Sequence, residues 1–144
     1  MTPWAEAMLF AAQRAQLAAE VISPALARDA IVVTDRSYYS SLAYQGFGRD
    51  LGVELVRLVN EAALQGVVPD LVVVLLVQPE EGLARQRVVD RIGAEGVEFV
   101  EKVQAAYRRL AVMEPDRVFL MDGSESPEEL ADRVAGVVEP RLGQ

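Results

Sequence analysis

Cysteine is missing from all 144 residues of this chain, and so is histidine. The first absence excludes disulfides, thiolate nucleophiles and Cys-zinc sites. The second excludes Ser-His triads and most transition-metal sites. Aromatic residues are few, at 6%, and Lys102 is the single lysine among 14 basic residues. No apolar run reaches the roughly 18 residues of a membrane span, and no basic-then-apolar leader opens the chain. A soluble cytoplasmic protein with no membrane partner is therefore expected. Basic side chains are also outnumbered, and a net charge of −8 argues against a nucleic-acid partner, which calls for a basic surface. Chemistry is left to carboxylates, arginines, hydroxyls and a bound hard cation such as magnesium.

What is present is a large apolar fraction, 51% of residues, enough for one domain over 1–144 with its own core. Thr2 and Pro3 form a helix start, and the Ala-rich stretch after them predicts helix to about Ile22. "AIVVT" (30–34) and "DLVVVLLV" (70–77) are continuous apolar runs, the pattern of parallel strands covered on both faces. "RVFLMD" (117–122) reads as a third, weaker strand. Amphipathic helices are expected near 38–45, 53–65, 80–88 and 95–113. A last one begins at Ser126, where Pro127 and Glu129 complete a capping box. Strands alternating with helices predict an α/β fold, a three-layer parallel sheet flanked by helices.

A polar cluster, "DRSYYSSLAYQG" (35–46), follows the first apolar run. Ligands of open α/β sheets bind at the carboxyl ends of strands, which is where this reading puts Asp35 and Arg36. An aspartate there can orient a magnesium-bound water, and an arginine can grip a phosphate with two parallel hydrogen bonds. Helical spacing puts Ser37 with Ser41, and Ser40 with Tyr44, on shared faces. The plainer alternative is an Asp-Arg pair capping a helix whose first turn carries the serines. Phe10 and Arg14 share a face of the first helix at i, i+4. "ARQRVVDR" (84–91) holds a basic cluster, Arg85, Arg87 and Arg91, in an otherwise acidic chain; without further context it reads as an exposed charged helix.

The cluster resembles the DRY-x-x-S-x-x-AYQG segment of bacterial thymidylate kinases. "LFAAQRAQ" (9–16), "VVPDLVVVL" (67–75) and "DRIGAEGVEFVEKVQAAYRRLA" (90–111) agree with that family in order and spacing, so the resemblance covers nearly the whole chain. It implies transfer of the ATP γ-phosphoryl group to dTMP, giving dTDP, with Mg2+ as cofactor, and it implies a homodimer with the first helix near its interface. Phe10 then matches the residue that stacks on thymine, and Arg14 the one that hydrogen-bonds its O4 edge. Arg36 matches the arginine on the dTMP phosphate, and Asp35 the acid near the metal and phosphates. Ser41 falls beside the base edge, Tyr44 against the sugar and Gln45 beside the base pocket. Arg85, Arg87 and Arg91 match a lid that closes over the ATP phosphates.

Three features depart from the family pattern. The phosphate loop G-x-x-x-x-G-K-[ST] is absent from these 144 residues, so the resemblance is to a P-loop nucleoside monophosphate kinase truncated at its N-terminus. In that fold the first strand lies between the third and fourth, here 30–34 and 70–77, and it delivers the phosphate loop. Ser37 stands where Tyr or His is usual, and Gly93 where many members have glutamate; Glu95 and Glu98 are the nearby acids. Two other functions stay open on these grounds. One is a noncatalytic thymidine-nucleotide binding or interaction fragment. The other is a deoxynucleoside kinase, which the Asp-Arg-Ser sequence also suits.

Overall fold

Residues 1–84 and 95–142 are described by the computed structural model of the chain. They form two compact units, Met1–Pro69 and Asp70–Gln144.

In the first unit the expected N-cap is present: the Thr2 hydroxyl accepts a hydrogen bond from the Ala5 amide at 3.3 Å. Helix α1 (Pro3–Leu17) follows, with Pro3 in its first turn, where no intrahelical amide is needed. The helix runs on through a π-helical stretch, Ala18–Ile22, into α2 (Ser23–Leu26). The buried stripe of this region is built from small residues, Ala7, Ala11 and Ala18, with Glu6 beside them. Small side chains let α1 lie close to α4 (Val53–Leu64), against which it packs. The larger residues Met8 and Leu9 are 50% and 61% exposed, so they do not anchor this core. Between these helices come α3 (Tyr38–Ser41) and a second π-helical stretch, Leu42–Gly48. Tyr38, Tyr39, Leu42 and Ala43 are buried there and fill the space that the alanines leave. Gly46 permits the close approach of α4, since a Cβ at this position would come within 3.1 Å of the Val53 Cα.

The strand expected over 30–34 is not formed. Ile31 is 68% and Val33 90% exposed, and among the described residues no strand pairs with this segment. An apolar run becomes a strand only when a neighbour takes its backbone hydrogen bonds and covers its side chains. Asp35 and Arg36 therefore follow an irregular segment rather than the end of a strand.

The second unit does carry a parallel sheet. Strands β1 (Val72–Leu76) and β2 (Val118–Asp122) pair in register from Val72 with Val118 to Leu76 with Asp122. These are two of the three expected strands, and they are the strands of the described sheet. Parallel neighbours need a long crossover, which includes α5 (Pro79–Ala84) and α6 (Val97–Met113). Phe99, Val103, Ala106 and Leu110 recur along α6 at helical spacing and are buried, and the helix packs on β2. Gly123 follows β2 and donates its amide to the Leu76 carbonyl at 2.7 Å; a Cβ there would meet Val77 Cγ1 at 2.8 Å. Helix α7 (Pro127–Val138) begins with the expected capping box. The Ser126 hydroxyl accepts from the Glu129 amide, and the Ser126 amide donates to the Glu129 carboxylate at 3.0 Å. The bonds from the Ser126 amide and hydroxyl hold the Glu129 pKa below its ordinary value of 4.5.

Candidate active site

The polar cluster is launched by an unusual backbone. Arg36 has φ +67°, in the left-handed region that costs a non-glycine residue energy. Ser37 is extended and caps α3, its hydroxyl accepting from the Tyr39 amide at 3.3 Å. The plainer expectation gave the cap to Asp35 and Arg36; the helix is capped by Ser37 instead. The cap and the buried Tyr38–Tyr39 pair, with ring centroids 4.6 Å apart, hold the turn in place. The turn carries Asp35 and Arg36 at the exposed surface. The Arg36 guanidinium lies over the Tyr44 ring, 5.2 Å from its centroid. A π-helical stretch is wider than an α-helix and common at functional sites. Here it sets Tyr44 half-exposed and turns Gln45 into the interior.

From α1, Arg14 reaches into the same unit. Its Nη1 donates to Ser41 Oγ at 2.7 Å and to Asn60 Oδ1 at 3.5 Å, and its guanidinium lies 5.5 Å from the Phe10 ring centroid. Phe10 is partly open, at 37% exposure, while Ser41 and Asn60 are wholly buried. Gln45 Nε2 donates to Glu6 Oε1 at 2.8 Å, and Arg49 Nε lies 3.5 Å from that same oxygen. Phe10, Arg14 and Ser41 are thus brought together, as are Arg36 and Tyr44, and Gln45 is secured from below by the helix that carries Phe10. Arg85, Arg87 and Arg91, together with Gly93, lie outside the described residues.

Sequence reasoning missed Glu6, Arg49 and Asn60. Glu6 reads as an ordinary acid in a first helical turn, and nothing local distinguishes Arg49. Asn60 did carry a signal. It stands between Val56 and Leu64 in the buried stripe of α4, where an amide needs partners.

The second unit holds a cavity of about 410 Å³ at the carboxyl ends of β1 and β2, lined by Val77, Gln78, Glu81, Gln104, Arg108 and Asp122 among others. Asp122 accepts from the Ser124 hydroxyl at 2.6 Å and from its amide at 2.9 Å. These bonds, with Arg133 adding, hold its pKa below the ordinary 3.8 despite some desolvation. Among the described lining residues, the carboxylates Glu81 and Asp122 stand with Arg108.

In chemical terms the first unit offers an arginine beside an aromatic ring, a second arginine over a tyrosine, and a carboxylate next to it. Such a set suits an anionic ligand that also bears a flat, hydrogen-bonding ring. The sequence profile of the thymidylate kinase family matches residues 1–134. A thymidylate kinase of Synechococcus sp. (strain JA-3-3Ab) is 44% identical over 142 residues, covering 99% of this chain and 70% of that protein. One from Synechococcus sp. (strain JA-2-3B'a(2-13)) is 45% identical over 141 residues, covering 98% and 68%. One from Solidesulfovibrio magneticus is 44% identical over 144 residues, covering 93% and 69%. The class is a phosphate-transferring α/β enzyme, a kinase. The chain belongs to the thymidylate kinase family.

Proposed function

We propose that the first unit forms the dTMP pocket of a thymidylate kinase. The observation that carries this reading is the fixed Arg14, held on Ser41 beside the partly open Phe10 ring. In this reading Phe10 stacks on thymine and Arg14 donates to its O4. Arg36 grips the phosphate, Tyr44 flanks the sugar, and Ser41 and Gln45 border the base. A phosphate oxygen of dTMP attacks the γ-phosphorus of ATP while the bond to the ADP oxygen breaks, giving dTDP and ADP. Little covalent chemistry is asked of the protein, and much positioning and charge neutralisation. Arg85, Arg87 and Arg91 supply that neutralisation as a lid over the ATP phosphates.

Magnesium suits the same site. A magnesium ion carried by nucleotide phosphates takes only one or two carboxylates, so the exposed Asp35 fits as its protein partner. No group of three or more acids among the described residues gathers into an all-protein metal cage. When bound, the ion supplies positive charge to the transferring phosphoryl group.

The reading is tested in the enzyme made from the whole reading frame that contains these residues. Arg14→Ala is expected to raise KM for dTMP with little change in KM for ATP. Loss of a hydrogen bond from a charged donor costs about 1.5–3 kcal/mol. Equal effects on both substrates would contradict the assignment.

We also propose a homodimer in which α1 lies at or near the interface, supported by the exposure of Met8 and Leu9 beside the half-exposed Trp4. Sedimentation equilibrium is expected to give twice the monomer mass, and Met8→Glu to lower it; a monomer at assay concentrations would contradict the proposal. No helix of the described residues is long and apolar enough to cross a membrane.

A further inference from the structure

Asn60 is fully buried in the middle of α4, and its amide has partners on both ends. Its Nδ2 donates to the Val56 carbonyl at 2.8 Å, one turn back in the same helix. A carbonyl oxygen can only accept, so the NH2 group must occupy that side. The amide is thereby oriented, and Oδ1 is left facing Arg14 Nη1 at 3.5 Å. The same Nη1 donates to Ser41 Oγ at 2.7 Å. An Nη1 group has two hydrogens, one for each acceptor. These acceptors stand on α3 and α4, and with Nη1 fixed at two points the plane of the guanidinium has little freedom. A buried amide whose orientation is set by the backbone is a rigid support, unlike a hydroxyl, which rotates to suit its neighbour.

We infer that Asn60 is a positioning residue for base recognition: it acts through Arg14, setting the angle at which the guanidinium meets the base edge. The inference rests on the reading of Arg14 given above. A guanidinium only donates hydrogen bonds. It therefore accepts a base with an oxygen at position 4, as in thymine, and rejects one with an amino group there, as in cytosine. That discrimination depends on the donors being aimed, and a loosened arginine can turn away from the unfavourable group. Asn60 therefore contributes to choice between bases more than to affinity for phosphate.

Steady-state kinetics of the whole enzyme with dTMP and with dCMP test this, with thermal melting recorded for every variant. Asn60→Leu keeps a similar volume and removes the acceptor. It is expected to raise KM for dTMP about tenfold, to leave KM for ATP unchanged, and to lower the preference for dTMP over dCMP. Asn60→Asp retains an oxygen facing Arg14 but loses the donor to the Val56 carbonyl, and is expected to keep only part of that preference. In an Arg14→Ala background, Asn60→Leu is expected to add nothing to KM for dTMP, because the two residues act as one unit. If the leucine variant does not fold, Asn60→Ser, whose hydroxyl is too short to reach Arg14, takes its place in the same comparison. Equal effects of the Asn60 substitution with and without Arg14 would reduce it to a structural residue and overturn the inference. So would unchanged base preference in a folded variant. If Arg14→Ala itself leaves KM for dTMP unchanged, the base-pocket reading fails first, and this inference fails with it.

Discussion

Arg36→Ala is expected to lower kcat/KM for dTMP by roughly 10²–10³-fold, the scale set by loss of one preorganised donor to a charged reacting group. Arg36→Lys is expected to recover only part of this, because an ammonium cannot supply two parallel hydrogen bonds. The backbone allows function to be separated from folding. Arg36 sits at φ +67°, a conformation that costs a non-glycine residue on the order of 1–3 kcal/mol. Arg36→Gly relieves that strain while losing the contact with the Tyr44 ring, worth about 0.5–1 kcal/mol at an exposed site. The glycine variant should thus melt near the parent temperature and still fail with dTMP. Steady-state kinetics and thermal melts of the three variants check this. Unchanged kcat/KM in the alanine variant would remove Arg36 from the phosphate site, and a collapse in melting temperature in the glycine variant would remove the strain account.

The 144 residues purified on their own are expected to show no appreciable ATP-dependent phosphorylation of dTMP. No glycine-rich loop ending in Lys-Ser/Thr occurs among them, and such a loop cradles the phosphates through its backbone amides. The single lysine offers no substitute: Lys102 lies on α6, half-exposed, 4.0 Å from Glu98. Among the described residues the 30–34 segment, with Ile31 and Val33 exposed, pairs with no strand, and β1 pairs with β2 alone. Supplying the amino-terminal strand and glycine-rich loop of a full-length family member, fused in frame, is expected to produce turnover and to order 30–34 as a strand. A coupled assay for ADP formation decides it. Robust turnover by the 144 residues, free of contaminating kinase, would sink the proposal. Binding of dTMP without turnover is the expected result.

Much of the architecture was legible in the chain because it rests on local rules. Thr2 and Pro3 announce α1, the Ser126–Glu129 box announces α7, and the spacing of Phe99, Val103, Ala106 and Leu110 declares α6. The apolar runs over β1 and β2 were read as parallel strands and pair as such. The polar cluster at 35–46 was visible in the chain, but its local chemistry suited a helix cap as well as a binding site, and the family resemblance alone favoured the second. What only tertiary structure decided is everything that depends on a partner distant in sequence. A strand is a relation between two segments, so the apolar run at 30–34 could not establish one by itself. The buried stripe of α1 falls to its alanines rather than to its larger residues, because the fit against α4 rewards close approach. Glu6 meets Gln45 across 39 positions, and Arg14 meets Asn60 across 46. Hydrogen bonds over such separations leave no periodicity along the chain; the folded packing of α1, α4 and the π-helical stretch Leu42–Gly48 creates them.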